Sequence, residues 1–296
     1  MIIHSICPLC SSGKISLYLK CTDHLLSREE FDLFKCTECG FVFTCKYPEE
    51  QNIGRYYESD DYISHDDSAK GFLNFIYLQA RTLMLKKKRK IIQKATQLTK
   101  GRILDIGCGT GYFAATMKKG GWDVSGIEPN VKARDFAARH FGLDVISPQN
   151  ISEIPAGIFD CITLWHVLEH FHDPFSYASV IKRLLKPDGV CLCALPNSGS
   201  FDATHYGEYW AAYDVPRHLW HFTPETFSLF AEKSGFHIAG TRPLPLDVFY
   251  ISILSEKNKG TKFHFLTGLI KGTLFAFRSL LNKRKSSSII YFLRLK

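Results

Sequence analysis

Residues 102–113 read RILDIGCGTGYF: a short apolar strand carrying an acid near its end, three glycines at alternate positions, then the start of a helical pattern. A turn this tight between a strand and a helix is compatible with few folds. The alternation continues downstream. DVSGIE (123–128), GLDVIS (142–147), FDCITLW (159–165) and GVCLCALP (189–196) are short apolar segments separated by helical patterns. SGFHIAGTRPL (234–244) predicts a helix end and a sixth strand, and SSSIIYFLR (286–294) a last one. Strands alternating with helices predict an α/β fold: a doubly wound, mostly parallel seven-stranded sheet covered on both faces.

The loop chemistry narrows the ligand. A dinucleotide fingerprint is G-x-G-x-x-G. Here Gly107, Gly109 and Gly111 are spaced G-x-G-x-G, and Asp105 stands just ahead of them. A carboxylate is a poor neighbour for pyrophosphate and a good one for the α-ammonium of a methionine-like ligand. Glu128 ends the second strand, where an acid can take both hydroxyls of a ribose.

Toward the N-terminus stand CPLC (7–10) and CTECG (36–40). Two C-x-x-C knuckles offer Cys7, Cys10, Cys36 and Cys39 to one tetrahedral zinc, closed by four thiolates and therefore structural. Cys21 and Cys45 remain as free thiols. The opening residues, MIIHSICPLC, lack the charged and apolar regions of a secretory signal, and there is no run of about 18 apolar residues that would predict a spanning helix. Ten cysteines in such a chain predict a reducing, cytoplasmic setting.

These features together resemble the class I S-adenosylmethionine-dependent methyltransferases, through LDIGCGTG, GIEPN, FDCITLWHVLEH, RLLKPDGV and LPN, over roughly residues 100–245 plus the last strand. VLEHFHDP is similar to the ubiquinone-biosynthesis O-methyltransferases. The paired C-x-x-C with DVPRHLWHFTPETF (214–227) is similar to zinc-ribbon methyltransferases of sugar and cell-surface pathways. The resemblance implies S-adenosylmethionine as cofactor. Asp105 and the three glycines would hold its methionine part and Glu128 its ribose, with Asn150 and Ile151 flanking its adenine.

Residues 165–170, WHVLEH, contain H-x-x-E-H, which also marks a class of zinc peptidases. A peptidase needs a long helix there, and Asp173-Pro174 leaves room for only a short turn. In a doubly wound sheet the carboxyl ends of the strands face the ligand, so Trp165 and His166 are expected beside the cofactor's sulfonium and the methyl acceptor. Methylating a hydroxyl requires a base, and histidine titrates near neutral pH. His166, His218 and His221 are the candidates, the last two in an aromatic loop (208–222) expected to cap the acceptor. A metal held by His166, Glu169 and His170 is an alternative, as is a loop merely braced by Glu169 and His170.

The expected organisation is a zinc ribbon (1–58), a connector and helix (59–100), and a methyltransferase domain (101–296) with a helical insertion at 246–285. In the helix, Phe72, Phe75, Ile76, Leu83, Ile91 and Ile92 form an apolar stripe, with the lysine run 86–90 mostly facing away. The insertion carries an apolar face flanked by Lys and Arg. It predicts packing on its own domain or on a second subunit, or peripheral contact with the inner membrane surface. The net charge of +8 also suits RNA. Base-amine methylases carry Asn/Asp-Pro-Pro-aromatic where this chain has LWHV, which disfavours nucleic acid. The leading expectation is a small-molecule acceptor: quinone-like, a sugar or a cell-surface intermediate. An RNA methyltransferase and a non-catalytic cofactor-binding scaffold are the alternatives.

Overall fold

The computed structural model describes residues 1–57 and 72–296, with side chains from Arg81 onward in the second stretch. The connector over 58–71 and the predicted apolar contacts of Phe72, Phe75 and Ile76 lie outside the described residues.

The N-terminal part holds β1 (Ile2–Ile3), β2 (Ile15–Thr22), β3 (Glu30–Cys36), β4 (Val42–Thr44) and β5 (Lys46–Tyr47). Helix α1 (Phe72–Thr96) follows, then β6 (Arg102–Ile106), α2 (Tyr112–Lys119), β7 (Asp123–Ile127), α3 (Val131–Phe141), β8 (Asp144–Ile146) and β9 (Phe159–Trp165). After these come α4 (Pro174–Leu184), β10 (Leu185–Pro196), α5 (Phe201–Tyr206), β11 (Trp220–His221), α6 (Pro224–Lys233) and β12 (Phe236–Pro243). Helices α7 (Asp247–Asn258) and α8 (His264–Leu281) precede the last strand, β13 (Ser288–Leu295). The main sheet has seven strands in the order β12-β13-β10-β9-β6-β7-β8. Only β13 runs antiparallel within it, against β10 and β12. The predicted doubly wound sheet is observed, and all seven expected strands form.

The strands at the centre are apolar throughout because both faces are covered. Ile103, Leu104, Cys161, Ile162, Leu192 and Ala194 are all fully enclosed. Three of the helices start at a clear cap: Asn130 caps α3, Asp173 with Pro174 starts α4, and Thr223 with Thr226 forms a capping box on α6.

In α1 the expected division of faces holds only in part. Ile91 and Ile92 are buried, but Leu83 is exposed. Lys88 turns inward, its Nζ 4.0 Å over the Trp165 ring, and faces the charges of Asp105 and Asp247. A buried carboxylate and a half-buried one draw in a cation from what reads as a solvated run.

The ribbon sheet is completed from the other end of the chain. Its order is β11-β4-β3-β2, with Trp220 opposite Phe43 and His221 opposite Val42. Trp210, Tyr213, Leu219, Trp220 and Phe222 are buried, so the aromatics of the 208–222 loop fill the seam between ribbon and main sheet. Arg217, 1% exposed, is the polar centre of that seam. Its guanidinium donates to Asp23 Oδ1 (2.8 Å), Asp214 Oδ1 (2.6 Å) and Oδ2 (3.0 Å), and the Tyr56 carbonyl (2.9 Å). Burial would raise the Asp23 pKa, but Arg217 and the amide donors of the 23–27 turn bring it down to about 2.

Removing the cation from this network leaves the buried Asp23 carboxylate with only the donors of its own turn and takes from Asp214 its bidentate partner. Arg217→Met is expected to destabilise the protein by about 3–5 kcal/mol. Urea denaturation followed by circular dichroism checks this, and a loss under about 1 kcal/mol would show that the seam does not depend on Arg217.

Candidate active site

The parallel pairing of β6 with β7 and β9 fixes where the polar groups meet. Asp105 pairs in register with Gly126 on one side and Thr163 on the other. Thr163 Oγ donates to Asp105 Oδ1 at 2.7 Å. Asp105 is 3% exposed, and burial raises its pKa to about 7 against the pull of Thr163 and Lys88. Glu128 is largely buried. It accepts from Gly109 N and Asn130 N, both at 2.9 Å, and burial raises its pKa.

The glycines differ in what requires them. All three have positive φ. A Cβ on Gly107 would meet Val167 at 2.5 Å, and one on Gly111 would meet Leu143 at 2.7 Å. Around Gly109 there is open space, beside the Glu128 carboxylate, so ligand can approach its backbone. Trp165 packs edge-on against Phe113 under Lys88. Asn150 lies on the surface after β8, its amide on Glu153 at 2.8 Å, with Ile151 half-buried beside it.

The H-x-x-E-H segment forms a single 3-10 turn, Leu168–His170, and not the long helix of a peptidase. His166 leaves the end of β9 with φ +57, a backbone state that non-glycine residues seldom adopt. Its Nε2 is 2.9 Å from Asp247 Oδ2 at the start of α7, and its Nδ1 is 3.5 Å from Glu169 Oε1. Burial pulls the His166 pKa down, and these two carboxylates more than reverse that, to about 9. Glu169 is 1% exposed, and neither carboxylate oxygen has an aligned hydrogen-bond partner. Burial raises its pKa, and His166 outweighs this and keeps it ionised.

His218 reaches the same carboxylate from the seam, with Nε2 4.0 Å from Glu169 Oε1. Its Nδ1 is 2.8 Å from the Ala212 carbonyl, which can only accept, so Nδ1 is a donor, and Nε2 also lies 3.9 Å from Asp214 Oδ2. His170 Nδ1 likewise donates to the Arg217 carbonyl (3.0 Å), and burial lowers its pKa to about 4. His221 does not join this group: it is buried on the ribbon side with Nε2 on Thr44 Oγ (3.2 Å). The geometry therefore gathers His166, Glu169, His170 and His218. The three that offer metal-ligand atoms within 4.8 Å of one another are Glu169, His170 and His218, in place of the expected set with His166.

Several participants had weak sequence signals. Lys88 is hidden in a basic run, Asp247 in the insertion, and Thr163 is the one hydroxyl residue in an apolar strand.

The four ribbon sulfurs also lie within 4.8 Å of one another, with Cys7–Cys39 at 3.7 Å and Cys10–Cys36 at 3.6 Å. Tetrahedral Zn–S bonds of about 2.3 Å put sulfurs about 3.8 Å apart, so the cluster fits zinc.

A doubly wound sheet with one antiparallel strand, an acid ahead of a glycine loop and a second acid after the next strand define a class I S-adenosylmethionine-dependent methyltransferase. The family described as "Methyltransferase domain" matches residues 78–239, and the chain belongs to it. A ubiquinone biosynthesis O-methyltransferase of Actinobacillus pleuropneumoniae serotype 7 (strain AP76) is 39% identical over 111 residues, 34% of this chain and 47% of that protein. Its counterpart from Dinoroseobacter shibae (strain DSM 16493 / NCIMB 14021 / DFL 12) is 34% identical over 146 residues, 45% of this chain and 59% of that one. The chain thus spans about half the length of these curated relatives. The fold is shared with Burkholderia thailandensis 1,6-didemethyltoxoflavin-N1-methyltransferase, solved with 1,6-didemethyltoxoflavin and S-adenosylhomocysteine. The TM-score is 0.51 at 14% identity, over 88% of this chain and 97% of that one. It is also shared with the [4+2]-cyclase SpnF, at TM-score 0.50 and 18% identity, over 71% and 80% of the two chains.

One zinc per chain is expected by elemental analysis of purified protein, falling to near zero in Cys36→Ser. A zinc-free wild type with its N-terminal part folded would overturn the ribbon assignment.

Proposed function

We propose that this protein methylates a hydroxyl group of a small molecule, quinone-like or a sugar or cell-surface intermediate, with His218 as the base. The observation that carries this reading is a buried, ionised Glu169 standing between two histidines at the strand ends that also bear Asp105. The likeness to ubiquinone biosynthesis O-methyltransferases supports oxygen as the accepting atom.

Bound S-adenosylmethionine supplies an electrophilic methyl group on a sulfonium. Asp105 would hold the ammonium of its methionine part, and the Glu128 carboxylate, beside Gly109, would hold its ribose. Asn150 and Ile151 would flank its adenine, and Trp165, with Lys88 over its ring, would stand beside its methyl group. His218 Nε2 takes the acceptor hydroxyl's proton while Nδ1 stays anchored on the Ala212 carbonyl. Glu169 stabilises the resulting imidazolium. His166, cationic at neutral pH between Asp247 and Glu169, keeps Glu169 ionised and is a positioning residue. His221 locks β11 to the ribbon through Thr44.

A second reading has its own support. Glu169, His170 and His218 bring their donor atoms within 4.8 Å, and both Glu169 oxygens lack hydrogen-bond partners, so a divalent cation there would polarise the acceptor oxygen. The experiment separates the two.

Turnover is measured on a panel of catechols, quinols and sugar nucleotides. His218→Gln is expected to lower kcat by about 10²–10⁴-fold with cofactor affinity within about twofold of wild type. Full turnover in this variant would remove His218 as the base. Turnover unaffected by EDTA would remove the cation.

A further inference from the structure

We propose that the outer face of α8 rests on an anionic lipid bilayer. Helix α8 packs on α7 through glycine. A Cβ on Gly268 would meet Ile253 Cα at 2.5 Å, and one on Gly272 would meet Phe249 Cα at 3.1 Å. Those small residues, with Phe275, form the buried side of the helix. The opposite side carries Phe263, Leu266, Ile270, Leu274, Phe277 and Leu281, each 53–80% exposed. Spaced three or four residues apart, they form one continuous apolar stripe. Single exposed apolar residues are ordinary; a stripe the length of an 18-residue helix marks an interaction surface.

Charge selects the occupant. Residues 257–296 contain ten Lys and Arg and no Asp or Glu, a net +10 of the chain's +8, which leaves −2 for residues 1–256. Lys271, Arg284 and Lys296 pair with Glu256, Glu225 and Glu232. Lys262 stands at one end of the stripe and Lys283 at the other, while Lys285 donates to the Gly199 carbonyl at 2.8 Å. In a symmetric dimer through this face, two such segments would repel each other. An anionic bilayer instead receives an apolar stripe flanked by cations, the arrangement of an interfacial helix. Among the described residues no helix is long and apolar enough to cross a membrane, so the contact lies in the plane of the surface.

Full-length protein is sedimented with vesicles of phosphatidylcholine alone or with phosphatidylglycerol added. Binding is expected only with the anionic lipid at low salt and should weaken at high salt. Changing Lys262 and Lys283 to Glu should lower binding at least about fivefold for each cation removed. Ile270→Glu with Phe277→Glu should abolish it with the circular dichroism spectrum unchanged, since both side chains are exposed. The proposal is overturned by no binding to anionic vesicles at low salt, or by equal binding of the Ile270→Glu, Phe277→Glu variant. A dimer in sedimentation velocity that this variant dissociates, without vesicle binding, would assign the face to a second copy. Vesicle binding is read without turnover, so its outcome is independent of the proposed acceptor chemistry.

Discussion

The site is organised by a carboxylate kept out of water. Asp105 lies at the end of a central parallel strand, bonded to Thr163 on the next strand and flanked by Lys88 from α1. Burial holds its pKa at about 7, so in the unliganded protein the group is poised between neutral and charged. Such a site favours a ligand that brings its own cation and disfavours phosphate. The glycine loop, Glu128 and the end of β9 are arranged around this acid because the strand register fixes them there.

A second buried charge, Arg217, joins the ribbon to that arrangement. By linking Asp23 in the ribbon to Asp214 in the loop, it sets the position of His218, whose backbone N–H also bonds the Asp214 carbonyl. The Leu219 N–H reaches the Glu169 carbonyl at 2.8 Å. The ribbon is therefore part of the wall that presents a histidine to Glu169.

The sequence made the sheet legible because buried parallel strands are uniformly apolar and the turns between them carry glycine and capping residues. Each strand from β6 to β13 in the main sheet overlaps a segment read from pattern alone, with β10 starting four residues earlier, at Leu185. The cysteine knuckles and the two acids around the glycines were legible because their chemistry depends on local spacing. Partnerships across long separations were not. Asp247 meets His166 across 81 positions, and Arg217 meets Asp23 across 194. His218 and His221 sit three apart in one motif, yet strand pairing with β4 turns one toward Glu169 and the other toward Thr44. Lys88 was obscured because four other basic residues adjoin it.

We propose that Asp105 and Glu128 hold the two ends of the cofactor. Calorimetric titration with S-adenosylhomocysteine between pH 8 and pH 6 tests it most directly. A ligand ammonium needs Asp105 ionised, so affinity should be full above its pKa of about 7 and decline as pH falls below it. Asp105→Asn should bind weakly and lose that slope. Glu128→Ala should lose on the order of ten- to a hundredfold in affinity, as expected for a charge-assisted hydrogen bond. Affinity that is flat from pH 8 to 6 and unchanged in both variants would show that neither acid holds the cofactor.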